Sequence, residues 1–586
     1  MARITLILSM ITAVIALLGG FRWLLAEWRQ WRNRRRWIAM LCVLSLWAGP
    51  AWASTLQVIP GGGGDYTTIQ GCISGMAAGD ICNVQAGTYT EQLTLTSGTA
   101  GNLKTIQCGS VNGCTVQSTS SPVVTIGGAD YWVFDDINVT YNGSGSAARG
   151  FSGTSLIQTG TISNLTILIE SGTGGGFGIN VSTSRSLTID NVVVTITPTS
   201  GGYDGMQILL SSNLTITNSI IQGTASESTG FLQDGIVVSG TNILIQDNQL
   251  LDGWQYDGHP DGIVVQGDGD DIGNPTDTVE ISRNIVKNWT QGIYIDAIHD
   301  PITNVKVVNN LMYETSDYRY GGSANKMNCL SLDGENIGGS AAYVLEVEIS
   351  NNLMECGQID LLLARLVVGS TIPIQNNIFI GPGFTGAIYS ASADTAALGV
   401  SANYNYYASA DGSPIRWNNT GISLATFSGT YGQDVNRRAA TTTVLDLTNI
   451  ASNDYTPKAT SDNIDRGTDL SASFTTDILG NTRTGTWDMG PYEYGAGSPV
   501  ATPVFTPNTA LRLIFHSIEV LAPLAGILWH FRRGLASVAA YLRMSAQLLM
   551  ALVVVPQLEM AGRRSAFVAL TTTSRALALL TRKEKY

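Results

Sequence analysis

The sequence predicts an all-β solenoid, a stack of short-stranded coils, flanked at both ends by helical hydrophobic segments. Three observations predict it. A short alternating motif recurs in order: Asn164-Leu-Thr-Ile, Ser186-Leu-Thr-Ile, Asn213-Leu-Thr-Ile, Asn242-Ile-Leu-Ile, Thr278-Val-Glu-Ile, Asn304-Val-Lys-Val and Leu345-Glu-Val-Glu-Ile. An Asn follows most copies at a matching place: Asn191, Asn218, Asn248, Asn284, Asn310, Asn352, Asn377 and Asn405. The composition is rich in Gly (65 residues) and poor in charge (13%), whereas soluble globular proteins carry about 25% charged residues.

Each copy of the motif is a short strand with alternate side chains inside. An Asn tolerates left-handed backbone at a tight turn, and a stack of Asn amides can bond above and below. A second strand precedes the motif in successive coils: Asp204-Gly-Met-Gln-Ile, Asp234-Gly-Ile-Val-Val, Asp261-Gly-Ile-Val-Val, Gln291-Gly-Ile-Tyr-Ile and Asn328-Cys-Leu-Ser-Leu. No single coil can bury its apolar face alone, so stacking must supply one continuous core. The period is uneven, and extra residues leave as loops. The long coils lie near 268–277 and 314–327, and loops lengthened on one side of a solenoid often build its binding face.

The ends read differently. Arg29, Arg32 and Arg34 to Arg36, the apolar run Trp37 to Trp47 and the small residues of Ala51-Trp52-Ala53 make residues 29–53 a secretory signal. Ile4 to Leu18 is a further apolar run, either a membrane segment or an extended leader, so residues 1–53 form the leader. After residues 54–440, the solenoid, and a closing stretch at 441–497, the Pro-containing stretch 498–508 reads as a linker. The tail, 509–586, holds two apolar runs flanked by Arg532, Arg533, Arg563 and Arg564. It predicts helical attachment to a membrane, either as a hairpin or as an amphipathic pair lying on the surface; a packed helical tail is the alternative.

The net charge is −13, with Arg concentrated at the two ends. The acidic body between them argues against nucleic acid as a partner. Its acidity serves solubility, or draws Ca²⁺ or basic polymers as counter-ions. Oligomeric state is not encoded in any of these patterns.

The opening Gly61-Gly-Gly-Gly-Asp65-Tyr-Thr-Thr-Ile-Gln70, then Gly79-Asp80 and Ala86-Gly87-Thr88-Tyr89-Thr90-Glu91, resembles the first coils of the pectate-lyase-like right-handed parallel β-helix family. The resemblance runs over roughly residues 55–410. The closing stretch, with Ile464-Asp465-Arg466-Gly467, Asp477-Ile-Leu-Gly480-Asn-Thr-Arg483 and Asp488-Met-Gly490-Pro-Tyr492-Glu493, resembles the bacterial module called choice-of-anchor Q, which ends exported β-helix proteins. The resemblance implies an exported, surface-attached protein acting on or binding a polysaccharide, with a lyase, hydrolase, epimerase or inert adhesin all compatible with one solenoid.

Seven Cys are present, and Cys42 falls in the signal. Six remain, an even number that suggests bridges in an exported chain. Locality pairs Cys72 with Cys82, Cys108 with Cys114, and Cys329 with Cys356.

The candidate chemistry centres on Tyr256-Asp257-Gly-His259-Pro-Asp261. A His between two carboxylates can be oriented by one Asp while the other shares proton transfer, with Tyr256 as acid or base. The order loosely resembles the Asp-Pro-His-Asp core of alginate epimerases, with the Pro displaced. His259 and Asp261 could equally cap a loop.

Aligning the repeats puts Gln266, Asp296 and Asp333 in one column, and Asp204, Asp234 and Asp261 in another. Stacked carboxylates repel and need a cation, a raised pKa or outward loops. Asp268, Asp296, Asp333 and Glu335 are therefore a candidate Ca²⁺ set. Asp234, Asp296, Asp333, Trp254, Arg319 and Lys326 are candidate substrate contacts, with Arg319, Lys326 and, less centrally, Arg283 as cationic lyase bases. A glycosidase would need two spaced carboxylates instead, drawn from Asp234 and Asp261 or from Asp296 and Asp333. Trp254, Tyr256, Trp289, Tyr294, Tyr313, Tyr318 and Tyr320 cluster in the same coils, either as sugar-stacking rings or as core. Two functions remain: a uronate lyase or epimerase on an acidic polysaccharide, and a non-catalytic surface protein that binds glycans. A phage-tail-like fibre fits the signal peptide poorly.

Overall fold

The computed structural model describes residues 53–495, apart from 173, 198–201, 224–231, 254–259, 271–272, 316–326, 335–342, 382–385, 391–397, 409–412 and 440–444. The leader and the tail expected at the two ends lie outside the described residues. Among the described residues no helix is long and apolar enough to cross a membrane.

The chain winds into a β-solenoid of about 12 turns. Strands pair in parallel from coil to coil along three faces. The first face runs from Thr55–Val58 through Ile81–Val84 and Lys104–Cys108 to Thr276–Ser282, Ile302–Val308 and Leu345–Ser350. It contains the recurring Leu-Thr-Ile motif; Leu187 pairs with Leu214, and Ile189 with Ile216. A second face carries short strands such as Gln249–Leu251, Ile285–Lys287 and Leu311–Tyr313. The third carries Gly176–Val181, the first part of Tyr203–Thr217 and of Leu232–Gln246, then Asp261–Gln266, Gln291–Asp296, Asn328–Asp333 and Ile359–Ala364. Inward positions stack like with like: Ile236, Ile263, Ile293, Leu330 and Leu361 are adjacent in register and fully buried. This column is the continuous core that no isolated coil could build.

The corner between the first and second faces uses two adjacent columns. One residue adopts left-handed backbone: Asn191, Asn218, Asp247, Arg283, Asn309, Asn351, Asn376 and Tyr404 all have φ between 52° and 59°. The next residue points inward. There Asn248, Asn284, Asn310, Asn352, Asn377 and Asn405 form a buried ladder. From Asn284 onward each side-chain oxygen accepts from the backbone and side-chain amide of the Asn one coil before it, as in Asn284 N to Asn310 Oδ1 at 2.9 Å and Asn284 Nδ2 to the same oxygen at 3.1 Å. Asp434 ends the ladder, accepting from Asn405 N at 3.1 Å and Asn405 Nδ2 at 2.9 Å. Asn191 and Asn218 thus belong to the turn column, not to the ladder. Ser219 occupies the ladder position of its coil and donates its backbone N–H to Asn248 Oδ1 at 2.9 Å.

All three expected disulfides form: Cys72–Cys82, Cys108–Cys114 and Cys329–Cys356. The first ties the short helix Ile69–Gly75 to the opening coil, and the last joins neighbouring coils across a long loop. Near the far end, helix Leu424–Tyr431 is capped by Ser423 and ends on left-handed Gly432. Its Phe427 packs edge-on against Trp417 at 5.0 Å.

Residues 445–495 fold back onto the turn column. Asn309 Nδ2 donates to Thr476 O at 2.8 Å, Asn351 Nδ2 to Asp488 O and Gly490 O at 2.9 Å, and Asn376 Nδ2 to Thr468 O at 2.8 Å. Leu447, Tyr455, Ile478 and Met489 join Tyr313, Leu353, Ile378 and Tyr406 in a second apolar cluster outside the solenoid core. The side chains left pointing outward by the left-handed turns are therefore the ones that hold this segment.

Candidate functional site

The site sits on the outer side of the third face, where register fixes every neighbour. One outward column runs Arg149, Phe177, Asp204, Asp234, Asp261, Gln291, Asn328. A second runs Val264, Tyr294, Ser331, Leu362, Tyr389, and a third Gln266, Asp296, Asp333, Ala364. Both Asp columns expected from the repeats are thus aligned strand to strand, at about 4.8 Å per step.

A cavity of about 460 Å³ opens on this face, lined by Thr290, Gln291, Tyr294, Asn328, Ser331, Leu332, Asp333, Gln358, Leu362, Ala364 and Arg365. Arg365 has left-handed backbone (φ 49°) one residue past the Asp333 column, so its side chain turns back over the sheet. Its Nε donates to Asp333 Oδ1 at 2.8 Å and its Nη2 to Asp333 Oδ2. Asp333 is buried, while the Arg365 side chain is 54% exposed, so the two-pronged pair sits at the surface of the cavity. Tyr294 Oη donates to Asp333 Oδ2 at 3.4 Å. Among the described residues, Ser331 Oγ and Asn328 Oδ1, both on the cavity wall, are buried atoms without a hydrogen-bond partner, which is costly unless a ligand or water completes them.

Burial and mutual repulsion displace the carboxyls. Burial, then Asp333, push Asp296 up to about 6, against the pull of Tyr294, Arg365 and His299. Asp234 is pushed up to about 6 by burial, and Asp204 to about 8 by burial and by Asp234. Asp261 is held well above the carboxylate range by burial, then by Asp234 and Asp296. Its backbone N–H donates to Asp234 Oδ1 at 3.2 Å, and its own Oδ1 is buried with no partner among the described residues. Burial and the Asp296, Asp333 and Asp261 carboxylates push the Tyr294 phenol up, so it stays protonated across the working range. Groups pushed apart in this way can serve as base and acid side by side.

Tyr294, Asp296 and Asp333 therefore converge, with Asp261 and Asp234 next in the array. Tyr256, Asp257, His259, Trp254, Arg319, Lys326 and Glu335 lie outside the described residues, as do Tyr318 and Tyr320. Trp289 is fully buried in the solenoid core just after strand Ile285–Lys287, and Tyr313 is nearly buried in the second apolar cluster outside that core. Arg283 is at the turn column, bound to Asp247 through Nε at 2.8 Å, and is remote from this face. Asp268 Oδ1 is hydrogen-bonded to His299 Nδ1 at 2.5 Å. Among the described residues, Asp268, Asp296 and Asp333 do not bring three ligand oxygens within 4.8 Å of one another, and Asp333 gives both of its oxygens to Arg365. The described part of the Ca²⁺ set thus lacks the oxygen cage a hard cation needs. The described group that does meet that distance is Cys329, Cys356 and Asp360, and its two cysteines are joined as a disulfide.

Arg365, Ser331 and Asn328 carry the cavity yet were not singled out from the sequence. The signal was present: extending the repeat alignment one coil past Asp333 puts Arg365 at the corner beside it.

Residues 158–326 match the family model described as the right handed beta helix region. The solenoid is a right-handed β-helix. This β-helix is similar to the crystal structure of pectate lyase Pel9A at 13% identity, with TM-score 0.37, covering 76% of this chain and 97% of that one. It is similar to XylC in complex with xylose at 10% identity, with TM-score 0.46 and coverage of 75% and 98%. It is also similar to a mannuronic acid specific polysaccharide family 6 lyase from human gut microbiota, at 12% identity, TM-score 0.35 and coverage of 61% and 87%. No curated protein matches the chain in sequence.

Proposed function

We propose that this β-helix binds an acidic polysaccharide along the outer side of its third face and removes a proton from a uronate unit held at the cavity, as a lyase or epimerase. The carrying observation is the convergence of Tyr294, Asp333 and Arg365 on one cavity, with Asp296 next in register. Abstraction of the proton beside a carboxylate needs three things: a cation against that carboxylate, a base ionised near the working pH, and an acid. The Arg365 guanidinium is the cation. Asp296, at about 6, is the base. The Tyr294 phenol is the acid. In elimination the C5–H bond breaks, the C4–C5 double bond forms, the C4–O bond breaks, and the leaving oxygen takes the proton from Tyr294. In epimerisation the C5–H proton stays on Asp296 and Tyr294 delivers a proton to the opposite face of C5.

Incubation with a panel of uronate polysaccharides, followed by absorbance of unsaturated ends and by the C5 configuration of the product, tests this. Asp296→Asn and Tyr294→Phe are expected to lower turnover about 10²–10⁴-fold, and Arg365→Ala to act mainly on KM. No unsaturated product and no inverted C5 from any polymer would sink the catalytic reading. A second reading, a non-catalytic surface protein that binds glycans, is favoured by one observation: Arg365 is already committed to Asp333. It predicts polysaccharide binding that survives Asp296→Asn with no product from either protein. On both readings the chain is exported, which the three disulfides support, and attached to a surface through its ends.

A further inference from the structure

We propose that Tyr389 and Arg416 form a second sugar-binding position, selective for an anionic sugar, on the same face as the cavity. The inference rests on the polysaccharide reading above and adds a position that the cavity does not contain. Tyr389 and Arg416 continue the Tyr294 column in register, after Ser331 and Leu362. Tyr294 and Tyr389 are three strand steps apart, about 14 Å. A chain seated at the cavity reaches the second position only if it is longer than the cavity itself.

The pair is built to receive something. The Arg416 guanidinium lies over the Tyr389 ring at 5.2 Å, and Tyr389 Oη is anchored on Asn419 Oδ1 at 3.1 Å. Both residues are half-buried. Arg365 is committed to Asp333, whereas Arg416 makes no ion pair among the described residues. Stacking on the ring orients the guanidinium and leaves its edge for an oxyanion. Leu362 and Ala364 lie between the two positions and offer an uncharged floor to a sugar face. Carboxylate and sulfate share the required chemistry.

Binding of short and long oligomers by calorimetry tests the inference. The probes are a uronate disaccharide, a long uronate oligomer, a long sulfated oligomer and a long neutral oligomer. Wild type is expected to bind a long anionic oligomer more tightly than the disaccharide. Arg416→Gln and Tyr389→Ala are expected to weaken the long anionic oligomer about tenfold and to leave the disaccharide unchanged. A preference for the uronate or the sulfated oligomer identifies which anion the position takes. Unchanged binding of both long anionic oligomers by the two variants, with the wild type's length preference intact, overturns this position alone. Equal binding of the long neutral oligomer also overturns it. Absence of binding to every oligomer by wild type overturns the proposed function together with it.

Discussion

Asn310 spends every polar atom of its side chain inside the core. Its Oδ1 accepts from Asn284 N and Nδ2, and its Nδ2 donates to Ile281 O at 2.8 Å and to Asn352 Oδ1 at 3.0 Å. Asn310→Ala leaves Asn284 N and Ile281 O buried and unpaired, at about 1–3 kcal/mol each. A loss of about 3 kcal/mol or more in urea-induced unfolding is expected; a loss under about 1 kcal/mol would mean the ladder is replaceable. Asp434 makes the ladder's end pH-dependent. Burial, opposed by hydrogen bonds from Tyr407 and Asn405, lifts its carboxyl to about 6, above the unfolded value near 3.9. The folded state therefore holds the extra proton between about pH 4 and 6, and stability falls as pH rises through that window. Asp434→Asn should remove this slope and stabilise the protein at pH 7, measured as the wild-type-minus-variant difference in unfolding midpoint across pH. An unchanged slope would count against it. The ladder was legible from Asn248 onward because only Asn offers both an amide donor and an acceptor at a fixed repeat. Asn191 and Asn218 were misassigned because Asn also suits the left-handed residue one position earlier, and the sequence does not distinguish the two uses.

At the scale of elements, strands were legible and docking was not. Alternation of apolar residues dictates which side of a strand faces the core, so motifs such as Asn213-Leu-Thr-Ile announce their own burial. The attachment of residues 445–495 depends on Asn309, Asn351 and Asn376 meeting backbone carbonyls far along the chain, and no local pattern encodes that. Arg483 is the centre of this segment. Its side chain is fully buried, with Nη1 on Glu493 at 3.0 Å, Nη2 on Asn309 Oδ1 at 2.8 Å and the guanidinium over Trp487 at 5.3 Å. Arg483→Ala strands the buried Glu493 carboxylate, a change that typically costs about 3–5 kcal/mol. Limited proteolysis should then cut within 445–495 well before the solenoid is digested. Simultaneous digestion of both parts, at the wild-type rate, would show that Arg483 does not hold the segment.

The molecule as a whole carries an electrostatic load that a repeat makes unavoidable. Parallel register puts Asp204, Asp234 and Asp261 beside one another, and Asp296 beside Asp333, so a residue repeated in sequence becomes a like-charge stack in space. Burial adds to this at Asp360 and Asp488, the latter raised to about 6. Asp204, Asp234, Asp261, Asp296, Asp360 and Asp488 shift stability the same way: the folded state binds protons that the unfolded chain has released, so stability declines as pH rises from about 4 towards 8. Asp277 opposes them, since hydrogen bonds from Thr303, Thr278 and Asn304 outweigh its burial and lower it; its contribution is lost only at more acid pH. The melting temperature should therefore climb as pH falls from 8 to about 5. The triple change Asp204→Asn, Asp234→Asn and Asp261→Asn should raise it at pH 8 and flatten the curve between 6 and 8. A wild-type melting temperature that is flat or falls over that range would refute the stack as a source of strain. The same stack sets a conflict with the proposed chemistry. Asp296 must be ionised to act as base, so turnover should rise through about pH 6 while stability is already falling. The pH of greatest stability should lie below the pH of greatest activity, and the triple variant should narrow that gap from the stability side without moving the rise in turnover.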